Sequence, residues 1–277
     1  MRKSSAEMGK AMRNQIFEEV CNDVIPYLKR IPDSSTYVIA LGGSYGKGIS
    51  DKYSDFDFRV YYEKRVSDEA WKQVRAELNV VIDKWKLRGI EIDGAWSRSI
   101  DKINNDLDSY LAGELLLEEK KWSIWGYQLL TDLYHQILLD DPVGVGAEWM
   151  NKLKTFSPTL KKALLTKYLG YIEYWANDYH YVHKIAKKDI VFLHSLVAKL
   201  VHSMMQVLYA INEYYYPGDG YNLYYVSRFH IKPINLEERV ESILYPQKSD
   251  SMYENQFTDL MGLLHETINL AENTLLL

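Results

Sequence analysis

The run LGGSYGKGISDKYSDFDFRVYY, residues 41–62, constrains this chain more than any other stretch. A β-prone segment, TYVIAL at 36–41, ends at Gly42-Gly43-Ser44, and FDFRVYY at 56–62 alternates with the two-residue period of a strand. Paired glycines after a strand let the backbone turn tightly and come close to a ligand. The N–H groups of such a turn, together with the Ser44 hydroxyl, can hold phosphate oxygens. Residues two apart on a strand project to the same side, so Asp55 and Asp57 stand together while Phe56 and Phe58 face a core. Two carboxylates so close repel each other unless a cation sits between them. Mg2+ takes oxygen ligands of this kind, a few carboxylates plus substrate phosphates.

The flanking residues extend the pattern. Residues 67–86 read as a helix opened by Ser67, with Asp68 and Glu69 in its first turn. GIEIDGAW at 89–96 reads as a third strand that turns Ile90 and Ile92 inward and offers Glu91 or Asp93 as a further carboxylate; spacing alone does not separate the two. Lys47, in the glycine-rich loop, reads either as a cation for phosphates held there or as a solvent-exposed loop lysine; spacing does not place it. Residues 5–30 form an amphipathic helix, with Met8, Met12, Ile16, Val20, Val24 and Leu28 recurring every four positions and Pro26 late in it. Helix, strand, turn, strand, helix and strand together make a small α/β layer.

After about residue 99 helical patterns take over, at 99–119, 122–139, 158–186, 189–216 and 252–275, with loops at 138–146 and 214–222. The expected division is 1–120 for the α/β domain and 121–277 for an all-helical one. A general base for a hydroxyl substrate would come from Glu173, Asp178, Asp189 or Glu213, although Asp189 before an apolar helix reads first as an N-cap. The histidine pairs, His180 with His183 and His194 with His202, have no carboxylate or cysteine partner at metal-binding spacing. The 23 tyrosines serve packing first, or line a cleft for a ring-bearing ligand.

Charge narrows the partners. Residues 1–107 hold 18 Lys and Arg against 17 Asp and Glu, whereas residues 108–277 hold 15 against 21. That balance lacks the basic face of a non-specific nucleic-acid binder and suits a cationic small substrate. The single cysteine, Cys21, and an N-terminus without an apolar core fit a cytoplasmic setting, with no signal peptide and no membrane span expected.

Gly42-Gly43-Ser44 followed by Asp55 and Asp57 resembles the Gly-Ser…Asp-x-Asp signature of the nucleotidyltransferase superfamily related to DNA polymerase β. The chain looks most like the antibiotic nucleotidyltransferases that modify aminoglycosides or lincosamides. That resemblance implies an α/β catalytic domain with a small mixed sheet, followed by a helical substrate-binding domain. It implies Mg2+ on Asp55 and Asp57, with Glu91 or Asp93 as the third carboxylate. It also implies that Gly42, Gly43, Ser44 and Lys47 hold the phosphates of ATP or another nucleoside triphosphate. The reaction would move a nucleoside monophosphate, AMP first, onto a hydroxyl of a small molecule and release pyrophosphate. The superfamily also includes enzymes acting on protein or tRNA. A non-catalytic nucleotide-binding protein on the same fold is the third reading.

Overall fold

The computed structural model describes residues 5–114, 118–120, 123–127, 129–177, 179–218, 220 and 222–275. They form two compact units, residues 1–107 with 132–154 and residues 108–131 with 155–277. The chain thus leaves the first unit, returns to it and leaves again, where the sequence suggested one division at 120.

In chain order the elements up to residue 154 are α1 (Ser5–Leu28), β1 (Tyr37–Leu41), α2 (Gly43–Gly46), β2 (Phe56–Tyr62), α3 (Asp68–Lys86), β3 (Ile92–Ser99), α4 (Ile100–Leu111), β4 (Glu118–Lys120), β5 (Ser123–Tyr127), α5 (Leu129–His135), β6 (Ile137–Asp140) and α6 (Val145–Lys152). The first unit is built on a four-stranded sheet of order β3-β2-β1-β6. β1 runs antiparallel to both β2 and β6, and β2 runs parallel to β3, so the sheet is mixed. A parallel neighbour needs a crossover, and α3 supplies it. Ser67 caps α3 as its sequence suggests, its hydroxyl accepting the Ala70 N–H at 3.3 Å.

The alternation in β2 resolves as expected. Phe56, Phe58 and Val60 are buried with Ile39 and Leu41 of β1, against Val20, Val24 and Leu28 of α1 and Val74, Leu78 and Trp85 of α3. Each such side chain removed from water stabilises the fold by roughly 1.5–3 kcal/mol. Helix α1 continues through Pro26 to Leu28. The side chains of Met8 and Met12 lie outside the described residues.

Two helices expected from the sequence resolve differently. In place of helix over 99–119, α4 stops at Leu111, and Gly113 follows with φ +90, where a Cβ would press on Thr159 and Ala163 at 3.3 Å. In place of helix over 122–139, β5 pairs antiparallel with β4, α5 is short, and β6 joins β1. A brief apolar run such as Ile137-Leu138-Leu139 reads equally as buried helix or strand. Here its pairing with β1 decides. The region beyond residue 120 is therefore largely rather than wholly helical.

The second unit contains α7 (Pro158–Asn177), α8 (Tyr179–Ala186), α9 (Ile190–Ile211), α10 (Asn222–Val226), α11 (Leu236–Leu244) and α12 (Met252–Leu275). Helix α9 is its core, packed by α7 and α12 and capped by Asp189, whose carboxylate accepts the Phe192 N–H at 3.3 Å. By length and composition alone α9 could cross a bilayer, yet from Ser203 to Ile211 every residue is buried within this unit. Tyrosines gather at its C-terminal end, where Tyr209 meets Tyr216 and Phe229 edge-on at 5.3 and 5.2 Å. These rings serve packing.

Candidate active site

The turn after β1 is held against β2. The Gly42 N–H donates to the Asp57 carbonyl at 2.9 Å, and the Gly46 N–H closes the first turn of α2 on the Gly42 carbonyl at 2.9 Å. Gly43 has φ +58, and a Cβ there would fall 1.7 Å from Oδ2 of Asp57. Only glycine fits both demands. The Ser44 Oγ behind it is buried and makes no hydrogen bond among the described residues. Beyond α2 the loop is pinned by Asp51, whose N–H donates to the Ser54 Oγ at 2.8 Å and whose carboxylate accepts the Tyr53 N–H at 2.9 Å.

The register of β2 and β3 sets the carboxylates. Asp57 stands opposite Asp93, and Phe56 opposite Ile92. Asp57 therefore lies among Asp55, Asp93 and Asp132. Burial, reinforced by these like charges and opposed by Arg59, pushes its carboxyl up to about 6.

The two candidates for the third carboxylate separate here. Asp93 is exposed at the position facing Asp57. Glu91 precedes β3 and does not join the group: its side chain is exposed and sits 3.7 Å from the Lys86 ammonium at the end of α3. Its backbone does the local work, its carbonyl accepting the Phe56 N–H at 3.1 Å to start the parallel pairing.

Two residues that the sequence did not single out complete the site. Arg59, two positions beyond Asp57 on β2, is buried and donates from Nε to Oδ2 of Asp132 at 2.8 Å. Its Nη2 lies 3.4 Å from Oδ1 of Asp57. Asp132, on α5, is 6% exposed, and its Oδ1 lies 3.4 Å from the Gly43 N–H. A buried Arg in a strand and an Asp in a downstream helix carry no spacing that announces a pair.

Lys47 belongs to this group as well. Burial lowers its ammonium pKa, against the pull of Asp132 and Asp57. Burial also lowers the pKa of His135, at the end of α5, and the nearby Lys47 charge adds to that. Lys52, in the same loop as Lys47, is exposed and lies over the Tyr53 ring at 4.6 Å.

Of the candidate bases in the second unit, Asp189 caps α9 and Glu213 pairs with Lys161 at 2.9 Å. Glu173 is exposed on α7, and Asp178 lies outside the described residues.

Asp93 also lines a cavity of about 540 Å3 beside the open edge of β3, with Trp71, Val74, Leu78, Asn79 and Trp96 among its walls. That volume falls in the usual range for small-molecule sites.

The donor set suits a hard divalent cation, since Asp55, Asp57 and Asp93 offer only carboxylate oxygens. A cation would also offset the like charges that add to the effect of burial on Asp57. Among the described residues no group of three or more His, Cys, Asp or Glu side chains is already gathered into a metal site. Water, and phosphate oxygens of a substrate when one is bound, would complete the shell, as they commonly do for Mg2+.

A mixed sheet, a tight Gly-Gly-Ser turn and a carboxylate cluster across parallel strands define a nucleotidyltransferase domain. Residues 21–111, about a third of the chain, match the family model for the nucleotidyltransferase domain, and this stretch holds β1 to β3, the glycine turn and Asp55, Asp57 and Asp93. Such domains transfer a nucleoside monophosphate and generally use a nucleoside triphosphate with a divalent metal. No curated protein matches the chain.

Proposed function

We propose that this protein is an Mg2+-dependent adenylyltransferase that moves AMP from ATP onto a hydroxyl of a small antibiotic of the aminoglycoside or lincosamide type, releasing pyrophosphate. The observation that carries this reading is Asp57 facing Asp93 in register, beside a glycine turn that no larger residue could replace.

Asp55, Asp57 and Asp93 would hold the divalent ion, which supplies charge neutralisation at the phosphates. The Gly42 and Gly46 N–H groups are held within the protein, so the Ser44 hydroxyl is the donor to a phosphate oxygen, and the Lys47 ammonium offsets the phosphate charge. The acceptor oxygen forms the new bond to the α-phosphorus as the bridge to the β-phosphate breaks, and pyrophosphate leaves. Asp93, the exposed carboxylate of the three, takes the hydroxyl proton. The cavity beside Asp93 has room for the acceptor.

The test is pyrophosphate release with ATP, GTP, CTP and UTP in Mg2+, against a panel of aminoglycosides and lincosamides. Release with ATP that depends on one drug class and disappears in Asp57→Asn supports the reading. Release only with a protein or tRNA acceptor would overturn the antibiotic assignment and keep the chemistry. Mg2+-dependent nucleotide binding without release on any acceptor would overturn the enzyme.

A further inference from the structure

Asp132 lies beyond the residues that match the nucleotidyltransferase family, yet its carboxylate touches both halves of the candidate site. Its Oδ2 accepts Arg59 Nε at 2.8 Å, the length of a strong charge-assisted bond. Its Oδ1 faces the glycine turn, 3.4 Å from the Gly43 N–H, and a Cβ on Gly42 would lie 2.9 Å from it. Arg59 reaches Asp57 only loosely, at 3.4 Å from Oδ1. The guanidinium also lies over the Trp96 ring at 5.3 Å. A buried cation thus stands beside a carboxylate that must itself accept a cation, and a second carboxylate holds it more tightly.

We propose that Asp132 is a positioning residue. By holding Arg59 through Nε it keeps the guanidinium from closing on Asp57, which leaves the Asp57 carboxylate able to take a divalent ion.

The inference rests on Asp57 being a metal-binding residue, as in the proposed function, and not on which acceptor is used. With Asp132 neutral, Arg59 has a charged acceptor already within reach in Asp57, and a bidentate hold there would compete with the ion. Asn at 132 keeps the shape and an oxygen for the Gly43 N–H, so it changes the charge and little else. A purely structural role for Asp132 makes a different prediction: the variant melts earlier and its ion binding is unchanged.

The experiment titrates the full chain with Mn2+ alone and follows the free ion by electron paramagnetic resonance, with melting temperature recorded for each protein. Asp132→Asn should weaken Mn2+ binding by about tenfold, and adding Arg59→Gln to it should recover binding to within about threefold of wild type, because the competing charge is gone. Arg59→Gln alone should bind Mn2+ at least as tightly as wild type, which decides the matter if Asp132→Asn does not fold. Unchanged Mn2+ binding in folded Asp132→Asn overturns the proposal. So does a double variant that binds no better than the single, or weaker binding in Arg59→Gln alone. Mn2+ binding that follows the predicted pattern, without pyrophosphate release on any acceptor, would sink the transferase reading and leave this one standing.

Discussion

Gly43 and Asp57 approach so closely that a Cβ on the glycine would lie 1.7 Å from the carboxylate Oδ2. The turn and the carboxylate thus form one rigid piece, and each position dictates the other. Gly43→Ala must move Asp57 and also hold alanine at φ +58, a conformation that costs about 1–2 kcal/mol. Pyrophosphate release should fall by about 100-fold or more, since displacements of an ångström have effects of that size. Gly48 has φ +69 but open space around its Cβ position. Gly48→Ala should lower the melting temperature and keep most of the turnover. Equal losses in the two variants would show that strain, not the contact with Asp57, is what matters.

The separation of Glu91 from Asp93 is testable by turnover. Asp57→Asn and Asp93→Asn should each reduce pyrophosphate release by about 100-fold or more, the scale seen when electrostatic stabilisation of a transition state is removed. Glu91→Gln should stay within about twofold of wild type, because an exposed ion pair contributes little. Circular dichroism would confirm that all three fold. A Glu91→Gln variant as inactive as Asp93→Asn would return Glu91 to the site.

Cys21 supplies a pH-dependent readout of the core between α1 and the sheet. Burial pushes its thiol up to about 11. In the unfolded chain the thiol ionises near its ordinary value, so the folded state holds its proton over a higher range. The resulting contribution to stability is whole below the unfolded pKa and is lost as pH rises through that value toward about 11. Iodoacetamide should therefore label native protein slowly at pH 8, and rapidly once denaturant is added. Equal rates in the two conditions would mean that α1 opens readily.

Asn79 is exposed on α3 and lines the cavity beside Asp93. Asn79→Trp should fill part of that space. If the acceptor binds there, its KM should rise by about tenfold while the KM for ATP stays put, the signature of lost acceptor binding alone. Unchanged acceptor KM would move the acceptor elsewhere.

The first unit was largely legible before its structure. The alternation of FDFRVYY matches β2 residue for residue, and Ser67 marks the start of α3. Both are local signals, written within a few residues of where they act. The region from 112 to 140 was not legible. Its apolar runs are short and carry no helix period long enough to distinguish a strand pair and an edge strand from helix.

By itself the sequence determined which side chains share a face. Backbone geometry alone puts Asp57 on the face opposite Phe56 and Phe58, and permits the Gly42-Gly43 turn. Only the tertiary structure sets Asp93, and not Glu91, opposite Asp57, because that depends on the register between β2 and β3. It alone brought Asp132 to Arg59, 73 positions away along the chain, by returning β6 to β1 and setting α5 against the turn. Periodicity reports the direction of a side chain within its own element. Which carboxylate meets which cation depends on how separate elements pack, and no local pattern encodes that.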